Sequence, residues 1–566
     1  MKNNTSISSS FLPLRWAAHE GVAIGLTGIL QSQTYPTTAL LILATFFFLL
    51  QFRSETRKKR HDHHPPANEP QLPPGPQPWP LFGCIPELLV KKPAFRWILA
   101  LMKEMNTDIA CVRFGSTHVI PVTCPEIARE FLKKQDSNFA SRPLTMGTEY
   151  SSRGYLSVAV APLGEQWKRM RRVVASEVLS AARLRWLHDK RVEEADNLMR
   201  YLFNQCIASS SSSTGAVVDV RKAVRFYSGN VIRKLMFNQR YFGAGSSDDG
   251  PGAEEEEHVE ALFTVLSLLY AFNVSDYIPR LRFLDLDGHE RIMKKAIKIV
   301  NRYHEPLIDD RINKWRNSKG GPFKKEPEDL LDVLISIKDT DGKPILSTEE
   351  IKAQAADLIY ASVDNPSNAV EWAVAEMINQ PEQLKKAAEE LDRVVGRERL
   401  VQESDFPHLK YIKACARESF RLHPIAPFNL PHVALADATV AGYFIPKGSH
   451  VLLSRIGLGR NAKVWDDPLR FNPERHLKDG LEVELVETDL RFISFSTGRR
   501  GCMGVPLGSA MTVMLLARLI QGFTWSVPAG ESRIDLTESD CDLFLAKALH
   551  ARATPRLPRH LYEGTK

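Results

Sequence analysis

The sequence predicts a mainly α-helical body with a minor, segregated β-sheet region, held to a membrane by one N-terminal helix. Three observations carry this. Apolar residues recur at helical spacing over most of the chain beyond Arg96, for example in "EEIKAQAADLIYASVDNPSNAVEWAVAEMIN" and "AMTVMLLARLIQGFTW". Short β-like runs, "HVIPVTC" and "ATVAGYFIPKGSHVLLS", interrupt that pattern rather than alternate with it, which favours a sheet set apart from the helices. An uncharged run, "TTALLILATFFFLLQF", lies near the start and is followed at once by a basic cluster.

The apolar run spans Thr37 to Phe52. As a helix it measures about 24 Å, short of the roughly 30 Å hydrocarbon core. Starting the span at Tyr35, or a thin endoplasmic-reticulum bilayer, closes the gap. Arg53, Arg57, Lys58, Lys59 and Arg60 follow it, and positive residues stay on the cytosolic side. A cleaved signal peptide fits less well, because no small-residue cleavage site follows. The expected organisation is a lumenal segment over 1–34, a transmembrane anchor over 35–52, a basic and proline-rich linker over 53–80, and a cytosolic domain over 81–566. In "LPPGPQPWPLFG", prolines at 73, 74, 76, 78 and 80 forbid helix and favour a stiff extended strut.

The composition is that of a folded protein, with 43% hydrophobic and 25% charged residues. A net charge of +7 spread over 566 residues gives no focused basic surface, so nucleic acid is not an expected partner. Seven cysteines are scattered without a CxxC pair, which argues against zinc ribbons and a disulfide framework. Reduced thiols in a cytosol-facing domain fit better. Polar stretches beginning at Ser209, Gly243 and Asn317 read as exposed loops.

Within this body the run "FSTGRRGCMG", Phe495 to Gly504, places one thiol behind two arginines and among three glycines. Cys502 stands just before the helix expected from "VPLGSAMTVMLLARL", where the helix dipole and the nearby Arg499 and Arg500 favour a thiolate. Gly498, Gly501 and Gly504 permit tight turns and the close approach of a flat, bulky group. Backbone N–H groups freed by such turns can bond the sulfur. One sulfur, a nest of donors and a cation for carboxylates are what a haem-thiolate site needs. A buried structural cysteine in a glycine turn is the plainer alternative.

Further upstream, Glu418 and Arg421 in "ARESFRLHP" stand three apart on one helical face, and Arg475 in "FNPERHL" completes a charge triad. Trp167 and Arg171 in "GEQWKRMRRVV", one helical turn apart, offer a second clamp for haem carboxylates.

The order "WKRMR", a long helix, "ESFR", "PERH" and "FSTGRRGC" resembles a membrane-bound plant cytochrome P-450, from the anchor to the C-terminus. Phe495, Gly498, Arg500 and Cys502 match the family's haem loop, and Glu418 and Arg421 its helix pair. The resemblance implies the cytochrome P-450 fold, a haem b with Cys502 as axial thiolate, and contacts from Arg500, Phe495, Gly498, Trp167 and Arg171. It also implies O2 as co-substrate and electrons from NADPH through a flavin enzyme, NADPH-cytochrome P-450 reductase, on the endoplasmic-reticulum membrane. Lys168, Arg169 and Arg172 suit docking of such an acidic partner.

One departure from the family pattern stands out. Its long central helix usually carries an acid followed by threonine for proton delivery. Here the run is "YASVDNPSN", with Asp364 kept, Asn365 in place of threonine, and Pro366 next. Proline removes the hydrogen bond to the carbonyl of Ser362, so the helix is expected to bend and leave a polar pocket. Asp364, Asn365, Pro366 and ordered water are the expected catalytic substitutes.

"DNPSNAVEW", "HPIAPFNLPHV" and "PERH" are similar to one subfamily, the plant amino-acid N-monooxygenases. The resemblance implies double N-hydroxylation of an L-amino acid, then loss of water and carbon dioxide to an aldoxime, which enzymes of cyanogenic glucoside, glucosinolate or volatile formation consume. The wording is most similar to members that act on phenylalanine. Tyrosine, tryptophan, valine and isoleucine remain alternatives, as do a carbon hydroxylase of terpenes or phenolics and a catalytically silent haem scaffold. An amino-acid substrate needs a cation or amide for its carboxylate, and Arg153 and Asn429 are the candidates.

Overall fold

The computed structural model describes residues 71–563, apart from 209–214, 241–249, 270, 318–325 and 478–481. The anchor and its basic flank therefore lie outside the described residues, as do parts of the three polar stretches. Helices dominate what is described, and the strands form small separate sheets, as the periodicity predicts. The strands are β1 (Val112–Phe114), β2 (Thr117–Val122), β3 (Ala216–Asp219), β4 (His432–Val433), β5 (Ala438–Val440), β6 (Tyr443–Ile445), β7 (His450–Leu453), β8 (Phe523–Ser526) and β9 (His550–Pro555). One sheet has the order β1-β2-β7-β4, with β2 and β7 parallel; a second runs β3-β9-β8, and β5-β6 is a hairpin. Both β-like runs of the sequence are strands here.

The helices that position the site are α1 (Glu165–Val173), α2 (Val220–Phe237), α3 (Ala253–Leu269), α4 (Thr348–Asn379), α5 (Lys410–Leu422) and α6 (Val505–Gly522). Helix α4 runs through the centre, against α2 on one side and α5 and α6 on the other. Its start is fixed by a capping box. The Ser347 hydroxyl accepts from the Glu350 N–H, and the Glu350 carboxylate accepts from the Ser347 N–H at 2.9 Å. Surrounded by helices, α4 is buried on nearly every side from Val363 to Ile378, so its polar residues there, Asp364, Asn368, Glu371 and Glu376, are buried with the apolar ones rather than gathered on an outer face.

The acidic stretch after Gly243 needs a correction. Its final residues, Ala253–Glu257, are not loop but the first turns of α3. Three glutamates at a helix N-terminus are favoured by the helix dipole, so a charge run that looks like loop is a start signal. By length and composition α6 could cross a membrane, as could the segment Ala253–Tyr277, yet both are mostly buried inside the protein.

The described part of the proline run, 71–78, forms neither helix nor strand, and it is bonded to the body. Gln71 accepts the Phe444 N–H and Pro74 accepts the Cys111 N–H, each at 2.8 Å. Gly75 lies so close to β1 that a Cβ there would stand 1.9 Å from the Cys111 oxygen.

Candidate active site at Cys502

The loop that carries Cys502 is built around Gly498. Its φ is +75°, and a Cβ would meet the Leu132 oxygen at 2.5 Å and the Asp136 carboxylate at 2.6 Å. Only glycine combines that conformation with that approach. The Arg499 side chain then latches onto Asp136 at 2.7 Å, and its N–H donates to the same carboxylate. Two backbone bonds close the turn, Gly501 N–H to the Gly498 oxygen and Cys502 N–H to the Phe495 oxygen, both 2.9 Å. The result gives the Cys502 sulfur one donor, the Gly504 N–H, at 3.3 Å.

Cys502 is solvent-accessible, although protein surrounds it on most sides. Burial pushes its thiol up, while the Gly504 N–H and the charges of Arg455 and Arg171 pull it down. The sequence assigned that charge to Arg499 and Arg500, and the structure reassigns it. Arg499 is spent on Asp136, and Arg500 turns away to donate to the carbonyl oxygens of Ala140 at 2.5 Å and Ala161 at 2.7 Å. Arg171 does approach the loop and donates to the Gly501 oxygen at 3.2 Å.

Trp167 and Arg171 come together as expected, with the guanidinium 5.6 Å from the indole centroid; Arg500 stacks on the same ring at 4.3 Å. Arg500 is 7% exposed, and burial together with repulsion from Arg142 and Arg171 pulls it down to about 8. The Trp167 indole N–H is buried with no acceptor among the described residues. A crowd of buried cations with an unanswered N–H is an anion site, and the two carboxylates of a haem fit it. Arg142, whose guanidinium donates to Leu430 and Pro431 oxygens, and the buried His432 complete that wall. Neither was recognisable in the sequence, because their nearness to Cys502 is created by the fold.

The charge triad forms with an added member. Glu418 and Arg421 are wholly buried and doubly bonded, at 2.8 and 2.7 Å, and Arg475 reaches Glu418 at 2.9 Å. His476, the residue after Arg475, also bonds Glu418 at 2.8 Å, as does the Asn472 N–H at 2.9 Å. Burial alone would raise the Glu418 carboxyl, but Arg421 and His476 hold it at about 2.

On α4, Asn365 faces a hollow lined by Phe420, Arg455, Phe495, Gly508 and Thr512, beside the cysteine loop. The helix runs unbroken through Pro366. Side chains on both sides bond nearby carbonyls: Asn365 donates to the Ala361 oxygen at 3.0 Å and Ser367 to the Val363 oxygen at 2.7 Å. Asp364 is 3% exposed, and burial pushes its carboxyl up to about 7, with Arg225 opposing and Asp542 assisting. The fold therefore favours its neutral form. Charging it costs stability that grows as pH rises from the ordinary carboxylate range to about 7, then levels off. Asp364→Asn should thus gain on the native protein by roughly 3 kcal/mol between pH 5 and pH 8 in thermal unfolding. A pH-independent difference would show that Asp364 is ionised in the fold.

The two candidate substrate contacts separate. Asn429 is 6% exposed, and its amide donates to Ser496 on the cysteine loop and accepts from Arg455, both at 3.2 Å. It lines the larger hollow, of ≈ 680 Å³ including its mouth, together with Arg142, Thr148, Phe272, Tyr277 and Phe428. Arg153 lines neither hollow. Its guanidinium is committed to Glu349 at 2.5 Å and Glu305 at 2.7 Å, so it is placed as a bridge between helices. On the outer face of α1, Arg172 is exposed, while Lys168 and Arg169 pair with Glu165 and Glu350.

A profile of cytochrome P450 matches residues 73–551. The chain belongs to the cytochrome P450 family. With that family come a haem ligated by a cysteine thiolate, O2 as co-substrate and a redox partner that supplies electrons. This P450 is 60% identical to phenylalanine N-monooxygenase of Arabidopsis thaliana over 93% of its length and 99% of the relative's. It is 61% identical to tyrosine N-monooxygenase of Sorghum bicolor over 88% and 89%. Other relatives are named for tryptophan, isoleucine and valine. Among solved structures, a zebra fish cytochrome P450 with progesterone superposes with a TM-score of 0.66 at 24% identity, covering 82% of this chain and 100% of that one. The P450 fold is thus shared well beyond the reach of its sequence.

Proposed function

We propose that the chain converts an L-amino acid, L-phenylalanine by preference, to its aldoxime by two N-hydroxylations followed by loss of water and carbon dioxide. What carries this is the near full-length likeness to relatives that are all named amino-acid N-monooxygenases, whatever side chain they accept. Each turn consumes two O2 and two NADPH and releases one carbon dioxide and three waters. When bound, the haem supplies the oxygen insertion at nitrogen.

The remaining work falls to residues of this chain. Cys502 would hold the metal, and Arg171 and Trp167, with Arg500 stacked on the Trp167 ring, would hold the carboxylates of the prosthetic group. Phe495 and Gly498 would shape the loop that carries the thiolate. Asn429, which lines the larger hollow, would exchange its donation to Ser496 for one to the substrate carboxylate. The aromatic wall of Phe272, Tyr277 and Phe428 suits a phenyl side chain, since ring pairs favour offset and edge contacts. Asp364, neutral in the fold, can give a proton toward the hollow beside Asn365. The 35–52 run anchors the protein in the endoplasmic-reticulum membrane, and the exposed basic groups of α1, Arg172 above all, receive NADPH-cytochrome P-450 reductase.

The test is product analysis in reductase-containing microsomes supplied with NADPH and each of the twenty amino acids. Phenylacetaldoxime from L-phenylalanine is the expected product. An aldoxime from another amino acid would move the side-chain assignment, and a carbon-hydroxylated product with its amine intact would overturn N-hydroxylation.

A further inference from the structure

The larger hollow is walled mostly by apolar and aromatic groups, yet two charged residues line it among the described residues, Arg142 and Asp276. Its other ionisable groups stay neutral, because burial pulls His450 down to about 4 and pushes the Tyr277 hydroxyl well above its usual range. Asp276 lies on the short helix Val274–Tyr277, against the first residue of the helix Met146–Ser151. Its Oδ1 accepts the Met146 N–H at 2.6 Å and its Oδ2 the Asn273 amide at 2.8 Å. Both donors are neutral, and a carboxylate has about four lone-pair sites, so it has room for more.

Arg282 does not answer that charge. Its field reaches Asp276, but its guanidinium is held by Glu149 at 2.7 Å and Glu290 at 3.0 Å. Arg142 donates to the Ala159, Leu430 and Pro431 oxygens. A carboxylate set in such a wall costs free energy unless something meets it. Securing Met146 needs an acceptor but no charge, so that bond does not explain why the residue is an acid. Burial pushes the carboxyl up to about 6, against the Met146 and Asn273 donors and Arg282, and with the charge of Asp287. At neutral pH it is mostly ionised beside apolar groups, where an added cation is attracted more strongly than in water.

We propose that Asp276 receives the ammonium group of an incoming amino acid, and so selects α-amino acids over acids of the same shape that lack the amine. The contact is a charge-assisted hydrogen bond from ammonium to carboxylate oxygen, and no proton or electron moves. Arg142, bonded to the chain just after Asn429, lends a positive field to the end assigned to the substrate carboxylate. The hollow then offers one charge of each sign and an aromatic wall, which match a zwitterion with an apolar side chain. A terpene would set no cation against Asp276. This inference deepens the amino-acid reading above and rests on it.

The experiment uses full-length enzyme with haem and reads dissociation constants from the substrate-induced spin shift. Two ligands are compared, L-phenylalanine and 3-phenylpropanoate, which keeps the ring and the carboxylate but has no ammonium. Asp276→Asn should weaken L-phenylalanine about tenfold and leave 3-phenylpropanoate no weaker. Asp276→Glu, which keeps the charge, should hold L-phenylalanine better than Asp276→Asn does. A merely loosened turn would weaken both ligands alike, and that result overturns the proposal. Wild-type enzyme gives a second measurement. As pH falls from about 8 to about 5.5, Asp276 gains a proton, so L-phenylalanine should lose its advantage over 3-phenylpropanoate. The charged and titratable groups around Asp276 are Asp287, Arg282 and Tyr277 from its own segment, Tyr155 and Glu149 from the Met146–Ser151 side, and His450 from β7. Their effect on the carboxylate end is common to both ligands and cancels in the ratio. A ratio flat with pH, or a wild type without preference for L-phenylalanine, overturns the proposal. If the ratio behaves as expected and no aldoxime forms, the ammonium site stands and the N-hydroxylation reading falls; aldoxime formed with a flat ratio is the reverse.

Discussion

Cys502→Ser should abolish the carbon-monoxide difference band of a thiolate-bound haem. A serine hydroxyl stays protonated where a thiol gives up its proton. Cys415 is wholly buried on α5, where burial drives its thiol well above the ordinary range, so it serves as the control. Cys415→Ala costs only a small cavity and should leave the band intact. A band that survives in Cys502→Ser would mean that another ligand holds the metal.

Glu418→Ala should be the most damaging substitution outside the cysteine loop. It strips the acceptor from Arg421, Arg475, His476 and the Asn472 N–H together, and it leaves Arg421 charged and fully buried. Removing one partner of a buried pair costs about 3–5 kcal/mol, a large share of the stability of an ordinary domain. The Arg421 guanidinium also bonds the oxygens of Gly459 and Pro468, so its release would loosen the chain on both sides of Trp465. The expected result is a lowered melting temperature and haem lost on gel filtration. Asp310→Ala, which breaks the exposed pair with Lys314, should change stability by less than about 1 kcal/mol. Equal effects from the two would show that the Glu418 cluster does not brace the fold.

The helical body, the separate sheets and the Glu418–Arg421 pair were all readable in the sequence, and for a common reason. Each is a local matter, as with Glu418 and Arg421 three apart or the short apolar run in "HVIPVTC", whereas Arg475 stands 57 residues from Glu418. Cys502 was readable because its glycines and arginines are neighbours in the chain. What sequence could not supply was direction. Arg499 and Arg500 look like charges for the sulfur, but a turn at Gly498 sends one to Asp136 and the other to backbone oxygens, while Arg455 and Arg171 arrive from other elements. Arg153 looked free for a substrate because Glu305 and Glu349 stand more than 150 residues away in the chain. His476 was in view, as the last letter of "PERH", but no local rule makes a histidine in that place a partner of Glu418.

The bonded proline run has a mechanical consequence. A chain fixed to β1 through Pro74 and to β6 through Gln71, with Gly75 wedged against the Cys111 oxygen, behaves as a bracket and not as a tether. Whatever load or tilt reaches Gln71 passes directly into the sheet that β1 and β2 share with β7, without slack to absorb it. Length added before residue 71 would leave this joint unchanged, whereas length added between Pro74 and Trp79 would open it. The proline run is thereby fixed within a few residues, by bonds to the sheet edge rather than to the cysteine loop.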